Sequence, residues 1–107
     1  MIYLASPYSA DPTENHRLTM HYAARFATDG ARIYSPILHW HETAALTNLP
    51  TDAEFWWEQN QHFLSISAAL WVLTLPGWRE SVGVRQEMDW WREHRRRKIR
   101  LVGPEAE

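Results

Sequence analysis

The hydrophobic positions of this chain change period several times, and each change marks an element. Residues 2–5 are a continuous apolar run halted at Ser6-Pro7, as a buried strand is where proline withdraws its N–H donor. Asp11-Pro12-Thr13-Glu14 then supplies a capping residue, a proline at the first helical position and an acid at the third, so a helix starts here. Leu18, Tyr22 and Phe26, with Ala23 and Ala27, form its apolar face, and Asp29-Gly30 ends it. Residues 31–34 read as a second strand, stopped before Ser35-Pro36.

From residue 37 to 50 no clean period survives: His39, Trp40 and His41 read as an extended loop leading to a short helix through Ala45. Thr51 or Asp52 caps the next helix, which runs to about residue 65 with Phe55, Trp56, Gln59, Phe63 and Leu64 facing inward. Residues 68–75 are the most hydrophobic stretch and do not alternate, the pattern of a central parallel strand covered on both faces. Pro76-Gly77 breaks it, Ser81 caps a helix over residues 82–95, and residues 98–102 form a last strand. Strands alternating with helices predict one α/β domain over residues 1–107, a three-layer α/β/α sandwich of flavodoxin-like or Rossmann-like type with a small parallel sheet of about four to five strands. In such folds ligands bind at the carboxyl ends of the strands, here residues 6–11, 35–41 and 76–83.

Composition narrows the function classes. A net charge of -2 gives no overall attraction to nucleic acid or anionic lipid, so a bound anion must meet a local site. The absence of cysteine excludes disulfides and thiolate metal sites and suits a reducing compartment. No signal-peptide pattern opens the chain and no apolar run approaches the ~18 residues of a membrane span, so a cytoplasmic protein without a membrane partner is expected. Seven tryptophans are many for a core of this size, and the Trp56-Trp57 and Trp90-Trp91 pairs suggest a homo-oligomer contact in preference to a wall that stacks a base. The run Arg92, Arg95, Arg96, Arg97, Lys98, Arg100 reads as a solvated helix end facing its own negative dipole, which disfavours a nucleic-acid partner. His39 and His41, two apart, suit alternate faces of a loop, and neither a metal nor a cofactor is expected.

The segment from Leu75 to Glu87 carries the most chemistry. It turns at Gly77 and enters a helix whose free N–H groups and positive dipole end attract an anion such as a phosphate. Gly83, costly in a first helical turn, shares a face with Glu87 four residues later, so its missing side chain leaves room for a ligand against that carboxylate. Glu87 is too deep in the helix to serve as a capping acid, because Val84 stands where a capping box needs one. From spacing alone it also fits a solvated glutamate paired with a neighbouring arginine.

Ile2-Tyr3-Leu4-Ala5-Ser6-Pro7-Tyr8-Ser9, with Ser81-Val82-Gly83-Val84-Arg85-Gln86-Glu87 after the central strand, resembles the nucleoside 2-deoxyribosyltransferase superfamily over essentially the whole chain. That superfamily includes deoxynucleoside 5′-monophosphate N-glycosidases, and the chain is similar to its short phage and bacterial relatives of unassigned activity. The resemblance implies a small-molecule nucleoside or nucleotide as ligand, Glu87 as nucleophile at the anomeric carbon, and Tyr3 in contact with Glu87. It further implies that Ser6 and Tyr8 touch sugar or base, that Ser81 and Gly83 hold the 5′ end, and that the protein is at least a dimer. A carboxylate near C1′ stabilises an oxocarbenium-like transition state and can trap it covalently. Where the family places an aspartate, the chain has Asn60, which can orient a base but not protonate it. Glu58, His62, His39 or His41 are the alternative proton sources.

Overall fold

The computed structural model describes residues 1–106 and forms a four-stranded, all-parallel sheet with helices on both faces. Strand β1 (Ile2–Ala5) pairs with β2 (Ile33–Tyr34) on one side and β3 (Ala69–Leu73) on the other, and β4 (Ile99–Val102) extends β3, giving the order β2-β1-β3-β4. The expected α/β sandwich is therefore present. Strand β2 is shorter than its pattern predicts, because the Ala31 N–H turns back to the Phe26 carbonyl (3.0 Å) to close the preceding helix. Strand β3 likewise covers less than residues 68–75.

Helix α1 (Pro12–Thr28) begins as its cap predicts, with the Asp11 carboxylate accepting from the Glu14 N–H at 3.3 Å. Leu18, Tyr22, Ala23 and Phe26 pack on Leu4, Leu73, Leu75 and Val102. Ala27 is exposed instead of inward, since one step beyond Phe26 turns it ~100° away from the sheet. Helix α2 (Pro36–Thr47) contains the expected short helix and also takes in His39 to His41, which were expected as loop. Ser35-Pro36, which stops β2, is also a helix start: the Ser35 hydroxyl accepts from Leu38 N–H at 3.2 Å and proline occupies the first position.

Helix α3 (Ala53–Ser65) is capped by Asp52, whose carboxylate accepts from Phe55 N–H at 3.4 Å. Its phase differs from the expected one: Phe55 is 49% exposed and Gln59 is exposed, while Ala53, Trp56, Trp57, Asn60, Phe63 and Leu64 turn inward. The packing of α3 against helix α4 (Val82–His94) sets this rotation, which the apolar residues spread around α3 leave undetermined. Ser81 caps α4 as predicted, accepting from Val84 N–H at 3.3 Å. Helix α1 covers one face of the sheet, α3 and α4 the other, and α2 touches α1 and reaches α3 through the Trp40–Trp56 ring pair.

The tryptophans fit within this one chain better than their number suggests. Trp91 is fully buried, Trp78 is 8% exposed, and the other five are half-buried, none standing fully in solvent. Their count therefore carries no argument for an oligomer contact.

Candidate active site

Strands β1 and β3 are neighbours whose connections leave in opposite directions, so a crevice opens beyond their carboxyl ends. The cavity there measures about 560 Å³, within the range of small-molecule sites. Its wall is built from the segment after β1 (Ser6 to Ala10), from α2 (Ile37, Trp40, His41), from the start of α3 (Ala53, Trp56, Asn60), and from the turn entering α4 (Gly77, Ser81, Gly83) with Glu87 beyond it. Seven of the eight expected site residues, Ser6, Tyr8, Asn60, Gly77, Ser81, Gly83 and Glu87, line this one cavity. Tyr3, the eighth, stands behind it.

Glu87 is 4% exposed although it lines the cavity, and Tyr3, wholly buried on β1, donates its hydroxyl to Glu87 Oε2. The solvated, arginine-paired reading of Glu87 is thereby overturned. Burial pushes the Glu87 carboxyl up to about 8, opposed by the Tyr3 hydrogen bond, which favours the charged form. The Tyr3 phenol is held well above its ordinary value by burial first, then by the charge and hydrogen bond of Glu87. The proton between them therefore stays on the tyrosine when Glu87 ionises. This hydrogen bond at Oε2 is the only side-chain partner of Glu87 among the described residues.

Gly77 takes a left-handed φ of 86°, which lets the chain turn from β3 toward α4. A Cβ at Gly83 would meet the Ala53 Cβ at 3.4 Å, the edge of ordinary contact, so α3 and α4 lie close together at this point of the cavity wall. Asn60 lines the cavity with its Oδ1 buried and without a partner among the described residues, an acceptor available to a ligand donor. Among the described residues no lysine or arginine lines the cavity, whereas Asp52, Glu54 and Glu80 do. The anion attraction expected at the start of α4 rests on its backbone and on Ser81 alone.

Two side chains from the expected binding segment 35–41 are carried to the cavity by α2, one of them His41, an alternative proton source in the sequence reading. His41 Nδ1 lies 2.6 Å from Tyr8 Oη, and the His16 ring stacks on His41 at 4.0 Å. Trp40 joins the wall beside Trp56, ring centres 4.9 Å apart. The signal available was the Ser35-Pro36 helix start; read as a helix, residues 36–47 put His39 and His41 on different sides. His39 indeed lies against Tyr34 and Trp40 instead. At the far end of α4, Arg95 and Arg97 donate to the Ser65 and Ala68 carbonyls and Arg100 sits over Trp71, so much of the basic run is used within the fold.

Fold and site together define a small parallel α/β protein with a ligand-sized cavity at the β1/β3 crevice and a buried acid on its wall. The chain belongs to the family described as domain of unknown function (DUF1937), which it matches over residues 1–101. No curated protein matches it significantly. Among the described residues no helix is long and apolar enough to cross a membrane.

Proposed function

We propose that this protein breaks or transfers the N-glycosidic bond of a (deoxy)nucleoside, with the Glu87 carboxylate attacking C1′. The observation that carries the reading is the buried Tyr3–Glu87 pair on the wall of a cavity of about 560 Å³. Tyr3 holds Oε2, so the other oxygen faces the task of bonding to C1′ while the electron pair of the C1′–N bond leaves with the base. Water then releases the sugar, or a second base accepts it. A carboxyl raised to about 8 is mostly protonated in the empty site at neutral pH, and positive charge developing on the sugar favours its ionised form. With no lysine or arginine among the described lining residues and three further acids there, the reading is for the unphosphorylated nucleoside over its 5′-monophosphate. It also carries a homo-oligomer, for which Phe55, edge-on to Trp56, and Val82 are exposed apolar surface next to the cavity wall.

A second reading, a nucleotide-binding module without catalysis, is favoured by Asn60 at the position where an acid would assist the leaving base. A chromatographic screen of deoxynucleosides and their monophosphates for free base separates the two. Base release by wild type that disappears in Glu87→Ala supports the enzyme; tight binding in calorimetry without release supports the module. Release undiminished in Glu87→Ala removes the nucleophile assignment.

A further inference from the structure

We propose, resting on the glycosidase reading above, that Tyr8 and His41 deliver the proton the leaving base needs, taking the part that Asn60 cannot play. Both line the cavity, and they reach it from different elements: Tyr8 from the segment joining β1 to α1, His41 from α2. Tyr8 Oη and His41 Nδ1 are 2.6 Å apart with their rings edge-on at 89°. That distance passes a proton in either direction, the imidazolium donating to the phenol oxygen or the phenol to the neutral ring.

The surroundings fix the pair in place. The Asn15 amide donates to the Tyr8 carbonyl (3.3 Å) and the Ser9 hydroxyl to the Thr51 carbonyl (2.9 Å), tying the segment to α1 and to the approach to α3. The His16 ring lies nearly parallel to His41, at 16°. His16 is pushed toward its neutral form by burial and then by charge on His41, with Glu42 pulling the other way. It therefore buttresses His41 without competing for its proton. The remaining acids on the wall are otherwise placed: Glu87 is the nucleophile, Asp52 caps α3, and Glu54 and Glu80 are exposed.

The step balances. The step starts from Glu87 that has given its proton to solvent and from His41 as imidazolium: the C1′–N bond breaks as a Glu87 carboxylate oxygen bonds to C1′, the base nitrogen takes the Tyr8 hydroxyl proton, and the His41 Nδ1 proton passes to the Tyr8 oxygen, leaving a neutral imidazole. When water displaces Glu87 from C1′, its proton returns to His41 through Tyr8, so hydrolysis restores the starting state.

The test exploits a leaving group that needs no proton. Single-turnover release of adenine from deoxyadenosine is compared with release of 7-methylguanine from 7-methyl-2′-deoxyguanosine, whose cationic base departs neutral. Tyr8→Phe and His41→Gln, checked for folding by their melting curves, are expected to slow the first by ~10²- to 10⁴-fold and the second by less than about 10-fold. Equal losses on the two substrates overturn the proposal and leave a positioning role; so does the absence of loss on deoxyadenosine. If the wild type releases neither base, or does so independently of Glu87, the glycosidase reading itself falls and this inference with it.

Discussion

On the α1 face of the sheet, Leu4, Leu73, Leu75 and Val102 meet Leu18, Tyr22, Ala23 and Phe26, and the contacts are those of an ordinary apolar layer. On the α3–α4 face, Leu64, Leu70, Val72, Val84 and Trp91 are equally dry, yet Tyr3 and Glu87 are set among them. The first arrangement does nothing but stabilise. In the second, an acid is kept from water at a cost that a leucine in its place would not carry, and groups perturbed in this way cluster at functional sites.

The sharpest separation of the two faces comes from Glu87→Gln. Base release is expected to fall on the order of 10⁴-fold or more, as for loss of a nucleophile, while the fold gains stability. The gain depends on pH. With its carboxyl at about 8 when folded and ~4.3 when unfolded, Glu87 keeps a proton that the unfolded chain releases. Wild-type stability therefore falls as pH rises from about 4.5 through about 8, and Glu87→Gln flattens that decline. Urea midpoints across this range check it; a variant less stable than wild type at pH 8 would break the comparison.

Leu73→Ala is the converse on the α1 face, where the side chain is fully buried: a loss of ~2 to 5 kcal/mol in urea unfolding. The surviving folded fraction should turn over at the wild-type rate per folded molecule.

Tyr3→Phe keeps the packing but removes the bond to Oε2. Turnover should drop about 10- to 100-fold, the equivalent of the ~1.5 to 3 kcal/mol of a hydrogen bond to a charged group. The Glu87 carboxyl should rise above its present value of about 8, because that bond is what pulls it down. A pH–rate profile that does not move would show that Tyr3 acts by packing alone.

The smallest effect expected is that of Ser81→Ala, which removes the cap at Val84 N–H and costs ~1 kcal/mol. A much larger loss of nucleoside affinity than of stability would place the Ser81 hydroxyl on the ligand.

Much of the architecture is legible from neighbours along the chain. Asp11, Asp52 and Ser81 cap the helices they were expected to cap, because a cap is a bond between residues three apart. The non-alternating run before Pro76 marks β3 as central for a similarly local reason: two covered faces leave no polar position. Ser35-Pro36 carried two local meanings, strand stop and helix start, and the irregular run after it hid the second. With the first half of α2 read as loop, the approach of His41 to Tyr8, 33 residues away in sequence, had no element to carry it.

Local pattern also left the phase of α3 open, since a helix with apolar residues on several sides is oriented only by what it packs against. The ionisation of Glu87 belongs to the same class. Spacing alone favoured a solvated carboxylate, and what raised it to about 8 is its burial in the fold beside Tyr3, 84 residues distant. The sequence by itself determined the order of strands and helices and where α1, α3 and α4 start, because those choices are settled by dihedral preferences and bonds within a few residues. The tertiary structure decided which carboxylate is dry, which tyrosine meets it and which imidazole reaches the cavity, because desolvation and proton affinity depend on atoms that only folding brings together.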